Sequence, residues 1–378
     1  QGHSKYEGVI ETVGGLLYSA PWSACHVLRF DPATTEAGVV GPSLGDLERK
    51  YGGGVLADPA SGRLYGVPWN ADRVLEIDPE TDSVQAIGPS LGSLRSKYYG
   101  LAAARDGVLY AAPWHARHFL AIDPAARRVR AVGPDLGTGR EKYCGIAAGC
   151  SGKLYAVPRN ARHVLELDPA AGTVEPIGPD LGECPSKYEH VVQAANGRLY
   201  AAPWSARRVL EIDPQSSGVR LVGPDLGDGA SKYSSAACAA DGGAVYAVPW
   251  SARRALEIDV AGGAVSEIGP DLGTAGPKYY GLALSATGLL YAAPWSARRV
   301  FEIDPAAHDV CEVGPDLGPA NAKYAGVAAA SDGSIYAVPR AARQWLEVRP
   351  SQPSPSREDA AESPSRRWTA GGKRLGAN

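Results

Sequence analysis

Three residue types return along this 378-residue chain at a spacing that invites chemistry. A lysine followed by tyrosine occurs at Lys5, Lys50, Lys97, Lys142, Lys187, Lys232, Lys278 and Lys323. A tryptophan after proline occurs at Trp22, Trp69, Trp114, Trp204, Trp250 and Trp295, with Arg159 and Arg340 in its place in the fourth and eighth copies. A basic pair follows three residues later, at Arg117, Arg162, Arg207, Arg253, Arg298 and Arg343, joined by Arg73, Arg208, Arg254 and Arg299. Brought to one face, the ammonium groups would await an anion and the indoles would stack sugars or other planar groups. The guanidinium groups would add attraction for an acidic polymer such as a phosphorylated peptide, a sulfated glycan or a nucleic acid.

Each set also has a purely structural reading. Eight of the ten lysines belong to Lys-Tyr, and none of the 28 arginines replaces one there. The position wants a compact ammonium rather than a planar fork. It would then bond carbonyls or the Asp of a preceding Gly-Pro-Asp-Leu-Gly, locking neighbouring repeats. Tryptophan at a strand end can simply cover its neighbour, as an arginine stem can. The arginines recur with the glutamates of Val-Leu-Glu-Ile-Asp, at Glu76, Glu166, Glu211, Glu257, Glu302 and Glu347, and are expected to pair with them.

The elements that must position these groups follow from the period. Successive Lys-Tyr pairs lie 45, 47, 45, 45, 45, 46 and 45 residues apart. A period in this range signals a solenoid, propeller or array. Each copy holds four short apolar or alternating segments; for 97–141 they are 99–104, 108–113, 119–123 and 129–132. They are too short for helices and too rich in Val, Ile, Leu and Tyr for loops. Asp-Gly and Asp-Pro punctuate them as hairpin turns do. Four antiparallel strands per repeat, named A to D here, make a propeller blade. Eight A–B–C sets stand against seven D strands, each D closing in Gly-Pro-Asp/Ser-Leu-Gly. The reading is an all-β propeller of eight blades over 1–349, the last three-stranded, with a closing strand expected from outside the chain; seven blades is the alternative. Residues 350–378, rich in Ser, Pro, Arg and Gly, are expected to form a disordered tail.

The segment Gly-Arg-Leu-Tyr-Ala-Ala-Pro-Trp-Ser-Ala-Arg-Arg-Val-Leu-Glu-Ile-Asp-Pro at 197–214, with Val219–Gly223 after it, resembles YVTN-type propeller repeats. NHL repeats and the SMP-30 and streptogramin-lyase propellers share the outline. The resemblance covers about 1–349 and implies a propeller with its first strand innermost. Strands running alternately up and down then place the B–C loops and D-to-A connections on one face. Lysine, tryptophan and arginine of every blade would gather there, on loops held by a rigid scaffold.

The resemblance also poses an enzyme. Lyases and lactonases of those families place unique His, Glu, Asn or Asp residues at the central channel, usually around a metal. Here the inner strands offer Glu7, Glu11, Glu189, His190 and Gln193, of which Glu189 and His190 are weak metal candidates without a defined partner set. No cofactor is expected. Glycines at 8, 53, 100, 145, 281 and 326 suit a crowded axis, and His190 and Ser235 break that row. Sixteen of the 18 tyrosines occupy two repeat positions; Tyr99 and Tyr280 are the extras. The six cysteines share no repeat position and read as independent thiols.

Composition narrows the rest. A net charge of −3 gives no nucleic-acid signal, and no apolar run is long enough for a membrane span. The chain opens Gln-Gly-His-Ser without a visible signal peptide and assigns no compartment. The leading expectation is a monomeric, non-catalytic scaffold that binds a protein or glycan through the loop face. Its candidate contacts are the six Pro-Trp tryptophans, Arg117, Arg162, Arg207, Arg253 and Arg298, and Lys97, Lys142, Lys187, Lys232 and Lys278. A lactonase- or lyase-type enzyme using a channel metal is the alternative.

Overall fold

A computed structural model describes residues 4–350. Seven four-stranded antiparallel sheets and one of three strands follow one another along the chain, in consecutive strand order. Eight blades are therefore present, and the seven-blade alternative falls. In blade 3 the strands run Tyr98–Ala103, Leu109–Pro113, Phe119–Asp123 and Arg128–Val132, within a residue of the sequence expectation. Blade 8 holds Tyr324–Ala329, Ile335–Pro339 and Leu346–Val348. The expected tail lies outside the described residues.

Strand A is innermost, and A strands of neighbouring blades lie against each other around the axis. Crowding there explains the glycines. A Cβ on Gly53 would stand 2.5 Å from the backbone N of Gly100, and one on Gly100 would stand 2.6 Å from the Cys144 carbonyl. Both also have φ near +74°, where an L side chain is strained. Strand B is buried throughout in most blades, as in Leu154–Pro158 and Leu290–Pro294, because both its faces meet neighbouring blades. The apolar core is accordingly a set of interblade clusters; Tyr110 and Phe119 of blade 3, for example, pack with Leu154 and Leu165 of blade 4.

The ring closes between its first and last blades. Lys5 N donates to Arg340 O at 3.1 Å and Gly8 N to Ala325 O at 3.0 Å. Trp345 fills the seam, stacked on Phe30 at 4.9 Å between centroids. No helix of the described residues is long and apolar enough to cross a membrane. All six cysteines are free.

Candidate functional site

The B–C loop leaves strand B at Pro-Trp and is pinned by the next residues to the Lys-Tyr of its own blade. Trp69 N and Ala71 N both donate to Lys50 O, and Trp114 N to Lys97 O. The same geometry in every blade turns the residue after proline toward the axis. Eight such residues form a closed ring: Trp22, Trp69, Trp114, Arg159, Trp204, Trp250, Trp295 and Arg340. Trp22–Trp69, Trp69–Trp114, Trp204–Trp250 and Trp250–Trp295 lie 5.7, 4.9, 5.5 and 5.0 Å apart, tilted by 40–56°. Arg159 bridges Trp114 and Trp204, its guanidinium 4.7 and 5.5 Å from their centroids. Arg340 bridges Trp295 and Trp22 at the same two distances. The structure thus brings all six candidate tryptophans together. Trp22, Trp69 and Trp114 are buried, whereas Trp204, Trp250 and Trp295 keep partly exposed edges.

The two surplus tyrosines sit inside this ring. Tyr99 of blade 3 and Tyr280 of blade 7 reach across the axis until their hydroxyls are 2.7 Å apart. Each lies against a tryptophan triad of its own half: Tyr99 against Trp69 and Trp114, and Tyr280 against Trp250 and Trp295. Beside them stand two carboxylates, also four blades apart. Glu7 accepts from Arg340 at 3.0 Å and from Tyr99 at 3.0 Å. Glu189 accepts from Arg159 at 3.4 Å, while Arg159 also donates to Glu141 at 3.2 Å. The axis is therefore a pseudo-twofold network of two phenols, two carboxylates and two guanidinium groups.

The two halves are not electrostatically equal. Glu189 has one long contact to a shared arginine, and burial pushes its carboxyl up to about 7 despite Arg159. Burial raises both phenols well above their usual range. His190 occupies the place of Gly8 in the opposite half; burial holds its imidazole down to about 4, and Nδ1 has no hydrogen-bond partner. Glu11 lies apart from this cluster and accepts from Ser331 N and Oγ at 2.7 Å. Among the described residues no group of three or more His, Cys, Asp or Glu side chains could hold a metal ion.

The Lys-Tyr lysines of blades 2–8 are buried and donate their ammonium groups to backbone carbonyls, whereas Lys5 is half-buried. Lys97, 1% exposed, donates to the carbonyls of Asn70, Gly92 and Leu94. Lys142 donates to His115 and Gly139, Lys187 to Asn160 and Cys184, Lys232 to Gly227 and Gly229, and Lys278 to Ser251 and Ala252. Several of these acceptors belong to the preceding blade, so the ammonium ties blade to blade. Burial lowers each ammonium, Lys142 to about 8. Replacing Lys97 by Met should lower the unfolding free energy by about 2–3 kcal/mol, because it strands carbonyls that held a charged donor. Lys97→Arg should recover less than half of that, since a planar fork cannot converge on the same carbonyls. Full recovery by Arg in denaturant unfolding would contradict this account.

The arginines correct one expectation. Arg117, Arg162, Arg207, Arg253 and Arg298 pair with the Asp of the loop 18 residues on, at Asp135, Asp180, Asp225, Asp271 and Asp316. Their Nε–carboxylate distances are 2.8–3.0 Å. The strand-C glutamates are not their partners. They point into the sheet interior, where Tyr65 donates to Glu76 at 3.0 Å and Tyr246 to Glu257 at 2.7 Å. The Arg–Asp pairs join two loops of one blade and stay half exposed at the rim.

Sequence reasoning set Tyr99, Tyr280, Arg159, Arg340 and Glu7 aside from the binding set. Their signal was a departure repeated at an interval of four blades.

The fold has close counterparts among solved structures. A catalytically inactive virginiamycin B lyase from Staphylococcus aureus with quinupristin is 15% identical, with a TM-score of 0.59 over 77% of this chain and 92% of that one. A streptogramin B lyase is 14% identical, with a TM-score of 0.56 over 89% and 91%. The extracellular domain of a hybrid two component system from B. thetaiotaomicron is 10% identical, with a TM-score of 0.51 over 97% of this chain and 59% of that one. At such identities the likeness is one of fold alone, that of a β-propeller. No protein-family model and no curated protein sequence matches the chain.

Proposed function

We propose that this propeller is a non-catalytic scaffold that binds a protein or glycan partner on its loop face, with the tryptophan–arginine ring at the centre of contact. The observation that carries the reading is the partly exposed edge of Trp204, Trp250 and Trp295 beside a rim of half-exposed Arg–Asp pairs. Aromatic anchors ringed by polar groups are the composition that interfaces favour. The lysines serve the fold from within, so the partner meets indole and guanidinium rather than ammonium. Tyr99 and Tyr280 meet across the axis at 2.7 Å and bar it at that level. That suits a large or repetitive ligand more than a small substrate.

A glycan array and a displayed peptide library, probed with the fluorescently labelled chain, test this directly. Any ligand found should lose at least about tenfold in affinity in Trp204→Ala or Trp295→Ala. Unchanged binding by a variant whose circular dichroism and melting are intact would remove the ring from the reading.

One observation favours an enzyme of lyase or lactonase type instead. Glu189, with its raised carboxyl, and His190, with an unpartnered ring nitrogen, sit side by side at the axis. A stoichiometric metal retained by the wild-type chain and lost in His190→Ala would favour that alternative.

A further inference from the structure

Strand C carries a glutamate at its centre in six blades, and its side chain meets the strand-B tyrosine across the sheet. The registers Tyr65–Glu76, Tyr200–Glu211 and Tyr246–Glu257 show the arrangement. Five of these carboxylates meet a further side chain from strand D or from the C–D turn of the next blade. Glu76 accepts from Arg127 at 2.6 Å, Glu166 from Ser217 at 2.5 Å, and Glu257 contacts His308 at 2.8 Å. In blade 5 the set is complete within one sheet. Tyr200, Glu211 and Arg220 stand side by side, and Arg220 donates from Nε at 2.7 Å and from its terminal nitrogen at 3.0 Å.

Blade 3 repeats that set with its middle member removed. Tyr110, Ala121 and Arg130 occupy the same register as Tyr200, Glu211 and Arg220. The C–D turn of blade 4 presents Gly172 where the turns named above carry Arg127, Ser217 and His308. Two small residues thus replace a carboxylate and its capping side chain. At Gly172 and the flanking Tyr110 and Arg130 opens a cleft of about 280 Å³, lined also by Val132, Leu167 and Asp168, among others. Neither the Tyr110 hydroxyl nor the Arg130 guanidinium has a hydrogen-bond or salt-bridge partner among the described residues.

We propose that this cleft binds a small monocarboxylate, whose carboxylate stands where blade 5 has that of Glu211. Tyr110 and Arg130 donate to the carboxylate as Arg220 does to Glu211, a charge-assisted arrangement matched to a planar anion. The alkyl end lies against Val132 and Leu167. The Asp168 carboxylate stands on the wall, accepting from Ala170 N and Ala171 N at 3.0 Å. It disfavours a ligand with a second negative group, so a dicarboxylate is selected against.

Calorimetric titration of the intact chain with propionate, propionamide and succinate tests the proposal. Propionate should bind saturably with a dissociation constant on the order of 1 mM, and propionamide and succinate at least about tenfold more weakly. Ala121→Glu supplies the missing carboxylate from the chain itself; it should abolish propionate binding and raise the melting temperature. Arg130→Gln, an exposed position that folds regardless, should weaken propionate by about tenfold or more. Equal binding of propionate and propionamide, unchanged affinity in Arg130→Gln, or no saturation by about 100 mM would overturn the site.

Discussion

Replacing Arg340 by Leu should destabilise the propeller by about 4 kcal/mol, more than any other single change in the axial ring except its mirror at Arg159. Three roles meet at this residue, two of them in its guanidinium. It closes the aromatic ring between Trp295 and Trp22, and it neutralises Glu7 at 3.0 Å. Its own backbone also receives the Lys5 amide at the seam between the last and first blades. Its side chain is only 12% exposed and that of Glu7 only 7%, so a leucine would leave a buried carboxylate held by Tyr99 alone. Uncompensated buried charge is the costly part, and a double-mutant cycle separates it from the packing loss. Arg340→Leu with Glu7→Gln should therefore recover about 2 kcal/mol relative to Arg340→Leu. Arg340→Lys should not match the wild type, since an ammonium cannot stack flat between two indoles. Strict additivity of the two changes in urea unfolding would show that the ion pair contributes nothing at the seam.

The position of that arginine shows how much of the fold was legible beforehand. The 45-residue period, four apolar segments per copy and hairpin punctuation were enough for eight blades with a short last one. Each blade is specified locally, and neighbours repeat the same contacts. The tryptophans and lysines were visible as repeat positions for the same reason. What the sequence did not disclose are contacts between blades that lie opposite each other. Tyr99 and Tyr280 stand 181 residues apart, and no local pattern announces that they meet. Even so, Trp→Arg in copies 4 and 8, the glutamate after Lys-Tyr in copies 1 and 5, and the extra tyrosines in copies 3 and 7 mark a four-blade superrepeat. Read as a set, these departures place their members on opposite sides of one axis. The misassigned arginine partners have a different cause. Arginine recurs with both a glutamate and an aspartate in copies 4 to 7, so recurrence could not choose between them. Side-chain direction chooses: strand-C glutamate faces the tyrosine in the sheet, and the loop aspartate faces the arginine. The cleft at Ala121 shows the same limit, because a missing glutamate acquires meaning only once register sets Tyr110 and Arg130 on either side.

The unequal halves of the axial network lead to a pH dependence of comparable size. Glu7 has two donors, whereas Glu189 has one long contact with an arginine that also serves Glu141. The Glu189 carboxyl accordingly rises from 4.5 in the unfolded chain to about 7 in the folded one, burial being the main cause. Below pH 4.5 both states hold the proton and the group contributes nothing. Between 4.5 and 7 the folded state keeps a proton that the unfolded state has released, so stability falls as pH rises. Above 7 both states are ionised and the full cost of about 3 kcal/mol remains. His190 opposes this trend. Its folded value of about 4 lies below 6.5, so it removes stability as pH falls through the same window. The two slopes largely cancel in the wild type, whose unfolding free energy should be nearly flat between pH 4.5 and 6.5. Glu189→Gln removes one of them. That variant should gain about 3 kcal/mol over the wild type between pH 4 and pH 8, and its own curve should climb with pH up to about 6.5. Denaturant titrations at half-unit pH intervals read both curves. Parallel curves for the two proteins would mean that the Glu189 carboxyl binds its proton no more tightly in the folded chain than in the unfolded one.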